Sequence, residues 1–126
     1  MTATESVHVV ESYVLDVRVV ETEEGYRFEA PQHQGVTFGS ADRARLYADV
    51  YFDVNGFVEA ETGDRGVPPE IVQAGKDTLA AYLLTRPGVD EGWVASFYGA
   101  KPDRIQRYVE RVRSRAAEIR DRVAAE

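Results

Sequence analysis

VASFYGAKPDRIQRYVERV, residues 94–112, decides how this chain is read. Val94, Tyr98, Ile105 and Tyr108 fall where two helices sharing one core across a short turn need apolar side chains. Ala95 stands where a larger side chain would push the two helices apart. Gly99, four residues later, supplies the left-handed residue that a tight turn requires. Pro102 can open the second helix, because first-turn amides have no intrahelical acceptor to lose.

Charge separates this stretch from its surroundings. The 126 residues carry 22 Asp+Glu against 15 Lys+Arg, a formal net charge of -7. Residues 1–66 hold 13 acids and 5 bases, residues 67–89 hold 2 of each, and residues 90–126 hold 7 acids and 8 bases. Within 99–115 six bases (Lys101, Arg104, Arg107, Arg111, Arg113, Arg115) face only Asp103 and Glu110. A basic region confined to one helix is the asymmetry that a nucleic-acid contact requires. Lys76 and Lys101 are the only lysines, so arginine supplies nearly all the positive charge. Many acids, few lysines and much Val and Ala resemble the proteins of salt-loving archaea. In that setting the overall acidity is an ordinary solvated surface.

Apolar content of 44% and charged content of 29% belong to a soluble globular chain of one domain or two small lobes. With no cysteine, disulfides and thiolate metal sites are excluded. No run approaches the roughly 20 apolar residues that span a bilayer, and MTATES lacks a signal-peptide pattern, so a cytoplasmic location is expected.

The expected fold class is α+β, with an N-terminal ββ(β)α lobe over 1–58 and a C-terminal three-helix lobe over 68–126. VHVVESYVLDVRVVE, β-branched and mostly alternating, reads as one long strand. TEEG closes a hairpin onto YRFEA, and GVTF offers a short third strand. Ser40 is a fitting N-cap for ADRARLYADVYFDVN, whose Tyr47, Val50, Tyr51 and Val54 form a face for the sheet, with Gly56 as the stop. Residues 59–67, polar and glycine-bearing, read as a linker. PEIVQAGKDTLAAYLLTR then reads as one helix burying Ile71, Val72, Leu79, Tyr82 and Leu83, and Asp90 caps the next. The last helix begins at Pro102 and is extended.

LLTRPG leading into VDEGWVASFYGAKPDRIQRYVERV resembles the trihelical helix-turn-helix superfamily, over about residues 68–115. The resemblance implies a reading helix from Pro102 with Lys101, Asp103, Gln106, Arg107 and Arg111 outward, and Ile105, Tyr108, Val109 and Val112 inward. It implies base-edge contacts from Gln106, which suits adenine, and from Arg107, which suits guanine. Arg104, Arg113 and Arg115 suit phosphates or acidic neighbours. Asp103 departs from the pattern, since an acid at the edge repels phosphate. The implied function is a sequence-specific DNA-binding protein, a small transcriptional regulator of double-stranded DNA.

Ile105, Val109, Val112, Ala116, Ile119 and Val123 repeat at 4 and 3 residues, as in a coiled coil. Ala116, Ile119 and Val123 therefore read either as a homodimer seam or as a helix packed on its own domain. Two isolated histidines, His8 and His33, make no metal or nucleophile cluster legible, and His33 reads as a surface or hairpin residue. Glu23–Glu24 and Asp49–Asp53 read as a solvated turn and an exposed helix face. Tyr47, Tyr51, Phe52 and Phe57 read as core, and Trp93 as an anchor between the short helix and the rest. No enzyme activity, metal or cofactor is expected. The rival to a DNA reader is a protein-interaction or assembly module, antitoxin-like in architecture, with its partner on the N-terminal lobe. A nuclease or hydrolase needs a clustered acid site that the sequence lacks.

Overall fold

The computed structural model describes residues 8–31, 33–57 and 67–126. Strands β1 (His8–Ser12), β2 (Arg18–Thr22), β3 (Gly25–Ala30) and β4 (His33–Phe38) form one antiparallel sheet in the order β1-β2-β3-β4. Helices α1 (Ala41–Asp53), α2 (Pro69–Ala74), α3 (Lys76–Leu84), α4 (Glu91–Tyr98) and α5 (Pro102–Ala125) follow. The fold is α+β, with two more strands than a simple hairpin. The expected linker lies outside the described residues except for Val67.

The long N-terminal strand expected from alternation is two strands. Leu15 and Asp16 both take positive φ, 60° and 59°, and the Val17 amide donates to the Val14 carbonyl at 3.3 Å. Two successive left-handed residues match the twist of a two-residue hairpin. Asp16 tolerates this conformation but Leu15 does not favour it, so the turn signal in the sequence is weak.

α1 lies across β2, β3 and β4 as its apolar face predicts. Ser40 caps it by accepting from the Arg43 amide at 3.2 Å. Val17 just before β2, with Val19 and Phe28 from the sheet, meets Tyr47, Val50 and Phe52 from α1, all within the buried core. The same core continues through Ile71, Ala81 and Tyr82 to Val112 and Ala116 of α5, so the sheet and the helices share it. Each large side chain removed from water contributes about 1.5–3 kcal/mol.

The helix expected over 69–86 is interrupted. Gly75 sits at φ 117°, ψ 175°, a conformation closed to residues with a Cβ, and separates α2 from α3. Ile71 of α2 is buried, but Val72 is 59% exposed, contrary to expectation.

Several polar residues are more deeply placed than the sequence suggested. His33 is 8% exposed because β4 begins at this residue, placing its ring over α1. Its Nε2 shares a 2.9 Å hydrogen bond with the Tyr47 hydroxyl, among the rings of Phe28, Tyr51 and Phe57. Asp49 and Asp53 do not form an exposed face. Asp49 accepts from Arg120 at 2.8 Å, and Asp53 accepts from Arg115 at 2.7 Å, so both acids face cations of α5. Glu23 and Glu24 do lie in an exposed turn.

Candidate nucleic-acid interface

α3, α4 and α5 enclose a second small core of Ala80, Val94, Ala95 and Ile105, with Tyr98 and Tyr108 packed against it. Val94 and Ile105 are fully buried and Ala95 is 4% exposed within this core. α4 is capped by Asp90, whose carboxylate accepts from the Trp93 amide at 2.8 Å. It ends at Gly99, left-handed at φ 63°, ψ 38°, and the Ala100 amide returns to the Ala95 carbonyl at 2.8 Å. Arg43 of α1 donates to the carbonyls of Arg86 and Val89, at 2.8 and 3.1 Å, and so pins the loop before α4.

This frame sets where the cations point. Lys101, Arg104 and Arg107 line one cleft together with Asp103, Tyr98 and Tyr108. Lys76 at the start of α3 completes it. The Tyr98 hydroxyl donates to the Lys76 carbonyl at 3.0 Å, tying the end of α4 to the start of α3. Burial first, then the neighbouring Tyr108 and Asp77, push the Tyr98 phenol up to about 12, so it remains a donor at neutral pH. Lys76 was missed in the sequence because the segment read as one continuous helix. Its signal was its rarity, as one of only two lysines.

Five arginines elsewhere are held by carboxylates, whereas Arg111, Arg113 and Arg122 of α5 carry no ion pair among the described residues. Arg18 and Arg27 pair with Glu29, Arg45 with Glu11, Arg115 with Asp53 and Asp77, and Arg120 with Asp49. Lys76, Lys101, Arg104 and Arg107 have no ion pair among the described residues. In a chain with a net charge of -7, a cluster of unpaired cations stands out.

The remaining candidate residues separate into several settings. Gln106 is exposed but donates to the Glu91 carboxylate at 3.2 Å. Arg111 lies over the Tyr108 ring, 5.9 Å from its centroid. Arg113 is exposed, and its charge reaches Asp49. Arg115 is drawn into the molecule by its two carboxylates, which raise its pKa against the effect of burial and hold it charged. Of the two roles open to it from sequence, phosphate contact or acidic neighbour, the structure places it in the second.

Ala116 is fully buried in the chain's own core. Ile119 and Val123 are half-buried along a hollow with Leu15, Tyr51 and Phe52. Ala116 thus packs on the chain's own domain, while Ile119 and Val123 remain half-exposed beside it. Arg120 reinforces that packing, lying over Tyr13 at 5.0 Å and Phe52 at 5.2 Å.

Trp93 is not an anchor. It is 47% exposed and stacks on Phe97, itself 59% exposed, with centroids 5.5 Å apart. Val94, Ala95 and Tyr98 take the inward side of α4, which leaves the positions one residue before Val94 and Tyr98 facing out.

No helix among the described residues is long and apolar enough to cross a membrane. No family model matches the chain, and no curated protein and no solved structure matches it.

Proposed function

We propose that the chain is a sequence-specific binder of double-stranded DNA, a small transcriptional regulator, in which α3, α4 and α5 act as a trihelical helix-turn-helix. The observation that carries this reading is the cluster of unpaired cations, Lys76, Lys101, Arg104 and Arg107, beside the exposed face of α5. Phosphate is the partner that such a cluster lacks within an acidic chain. Arg107 supplies a base-edge contact, and Gln106 supplies a second once it leaves Glu91. Arg111 and Arg113 flank the same helix.

The resemblance to proteins of salt-loving archaea sets the conditions of the test. At molar salt the Debye length is about 3 Å, so close contacts carry the affinity. The experiment is selection of duplexes from a random pool by the purified protein in molar KCl, followed by sequencing. Enrichment of a motif that disappears with Arg107→Ala supports the reading, and a palindromic motif adds a homodimer. Absence of enrichment with a folded protein overturns it.

The alternative is a protein-interaction or assembly module, antitoxin-like, with its partner on the N-terminal sheet. The observation in its favour is β1, an edge of the sheet, with Val9 43% exposed. In that case Arg107→Ala leaves function intact, and a charge placed on β1 abolishes partner capture.

A further inference from the structure

The Trp93–Phe97 pair has the geometry of a stacking platform. The two ring planes are within 8° of parallel, and Trp93 and Phe97 are each about half exposed at the outer face of α4. The pair is also joined to the cationic cleft. The Phe97 ring meets Tyr98 edge-on at 5.3 Å, and Tyr98 meets Tyr108 at 6.0 Å. Tyr98 and Tyr108 in turn line the cleft of Lys101, Arg104 and Arg107. A row of rings therefore runs from an open stack to unpaired positive charge, the combination that holds unpaired nucleotides.

We propose that the Trp93–Phe97 stack receives an unpaired base from a nucleic-acid strand whose phosphates lie in the cationic cleft. Within a duplex each base face is covered by its neighbours, so an open aromatic face is best filled by a base that has left the stack or lies beyond the duplex end. The charge distribution favours this site over the sheet and α1, because the described residues between 8 and 57 carry 9 acids against 4 bases and repel phosphate. The proposal rests on the nucleic-acid reading of the cleft and adds the kind of nucleotide that the site prefers: single-stranded and adjoining a duplex.

Trp93 is the only tryptophan in the chain, so its emission reports on this site alone. The full chain is titrated with a short oligothymidine, a blunt duplex, and the same duplex bearing a thymine overhang. The expected result is quenching of Trp93 by the oligothymidine and the overhang duplex but not by the blunt duplex, with the overhang tightening binding by about tenfold. Trp93→Ala or Phe97→Ala removes that gain and leaves blunt-duplex affinity unchanged, while Trp93→Phe retains it. Both side chains are exposed, and circular dichroism verifies that the variants fold. Equal binding of blunt and overhang duplexes without quenching overturns the platform and leaves the cleft reading standing. Failure of all three nucleic acids to bind overturns both. Unchanged nucleic-acid affinity with self-association lost in Trp93→Ala also overturns the platform and makes the stack a contact between copies of the chain.

Discussion

Arg115 of α5 grips the carboxylate of Asp53 at the end of α1 with two hydrogen bonds, 2.7 Å from Nε and 2.9 Å from Nη2, across 62 residues of chain. Its Nη1 reaches Asp77 of α3 at 2.8 Å, and the Thr78 hydroxyl adds a 2.7 Å bond to Asp53. One guanidinium thus fixes α5 against both α1 and α3, and with them the direction in which the start of α5 projects.

Removing that guanidinium leaves Asp53, whose side chain is 4% exposed, without a counter-charge. Arg115→Ala is expected to cost about 2–4 kcal/mol in urea unfolding. Arg115→Lys restores only part of this, since an ammonium lacks the planar fork. At a temperature where the lysine variant is folded, its duplex affinity equals that of the wild type. A loss of DNA binding without a loss of stability would return Arg115 to the phosphate-contacting set.

Asp49 and Asp77 should respond to pH with opposite sign. Burial raises the Asp49 pKa despite the hydrogen bond and charge of Arg120, so ionising Asp49 costs stability. Relative to Asp49→Asn, the wild type loses stability as pH rises from the unfolded carboxyl value of about 3.9 through the raised folded one. Burial also opposes ionisation of Asp77, but hydrogen bonds from Arg115 and from the Thr78 amide outweigh it and hold the carboxyl below its usual range. Its contribution is present above about pH 3.9 and is lost as pH falls through the lowered value. Urea midpoints of each Asn variant across the acid range test both signs.

Much of the fold was legible, because alternation, caps and helix stops are local signals. Ser40, Asp90, Gly99 and Pro102 each do what their residue type predicts. The Leu15–Asp16 turn was hidden because alternation continues through it and Leu15, which also takes positive φ, is no turn former. Trp93 was misplaced because size suggests an anchor, whereas an eight-residue helix has one inward side and Val94, Ala95 and Tyr98 occupy it. Asp49, Asp53 and Arg115 looked like surface charge, since an ion pair between residues 62 apart leaves no mark on local sequence. In the candidate interface, the sequence supplied Lys101, Arg104 and Arg107, and only the packing of α3 against α4 brought in Lys76.

Gly99 sets the turn between α4 and α5. A Cβ added there meets no atom within 4 Å, so substitution is penalised by backbone conformation alone. Gly99→Ala is expected to destabilise by about 1 kcal/mol, and Gly99→Asn by less, because asparagine tolerates the left-handed region. Thermal unfolding of the two variants checks the order. Equal stability of Gly99→Ala and wild type would mean that the turn adopts another conformation.

Glu91 holds Gln106 and adds a negative charge beside the exposed face of α5. Glu91→Ala frees the amide and removes repulsion of phosphate, so duplex affinity is expected to rise by about threefold at low salt. A fall in affinity would show that Glu91 instead positions Gln106 for its contact.

In the proposed function the cations at the start of α5 bind nucleic acid. The most direct test of that binding is fluorescence anisotropy of a labelled duplex at rising KCl, for the wild type, for a variant combining Lys101→Ala, Arg104→Ala and Arg107→Ala, and for Arg18→Ala on the sheet as a control. The expected result is a linear fall of log affinity with log salt, with the triple variant shallower by about one unit per lost phosphate contact and Arg18→Ala unchanged. A triple variant that binds like the wild type, or a folded wild type that binds no duplex at low salt, would contradict it.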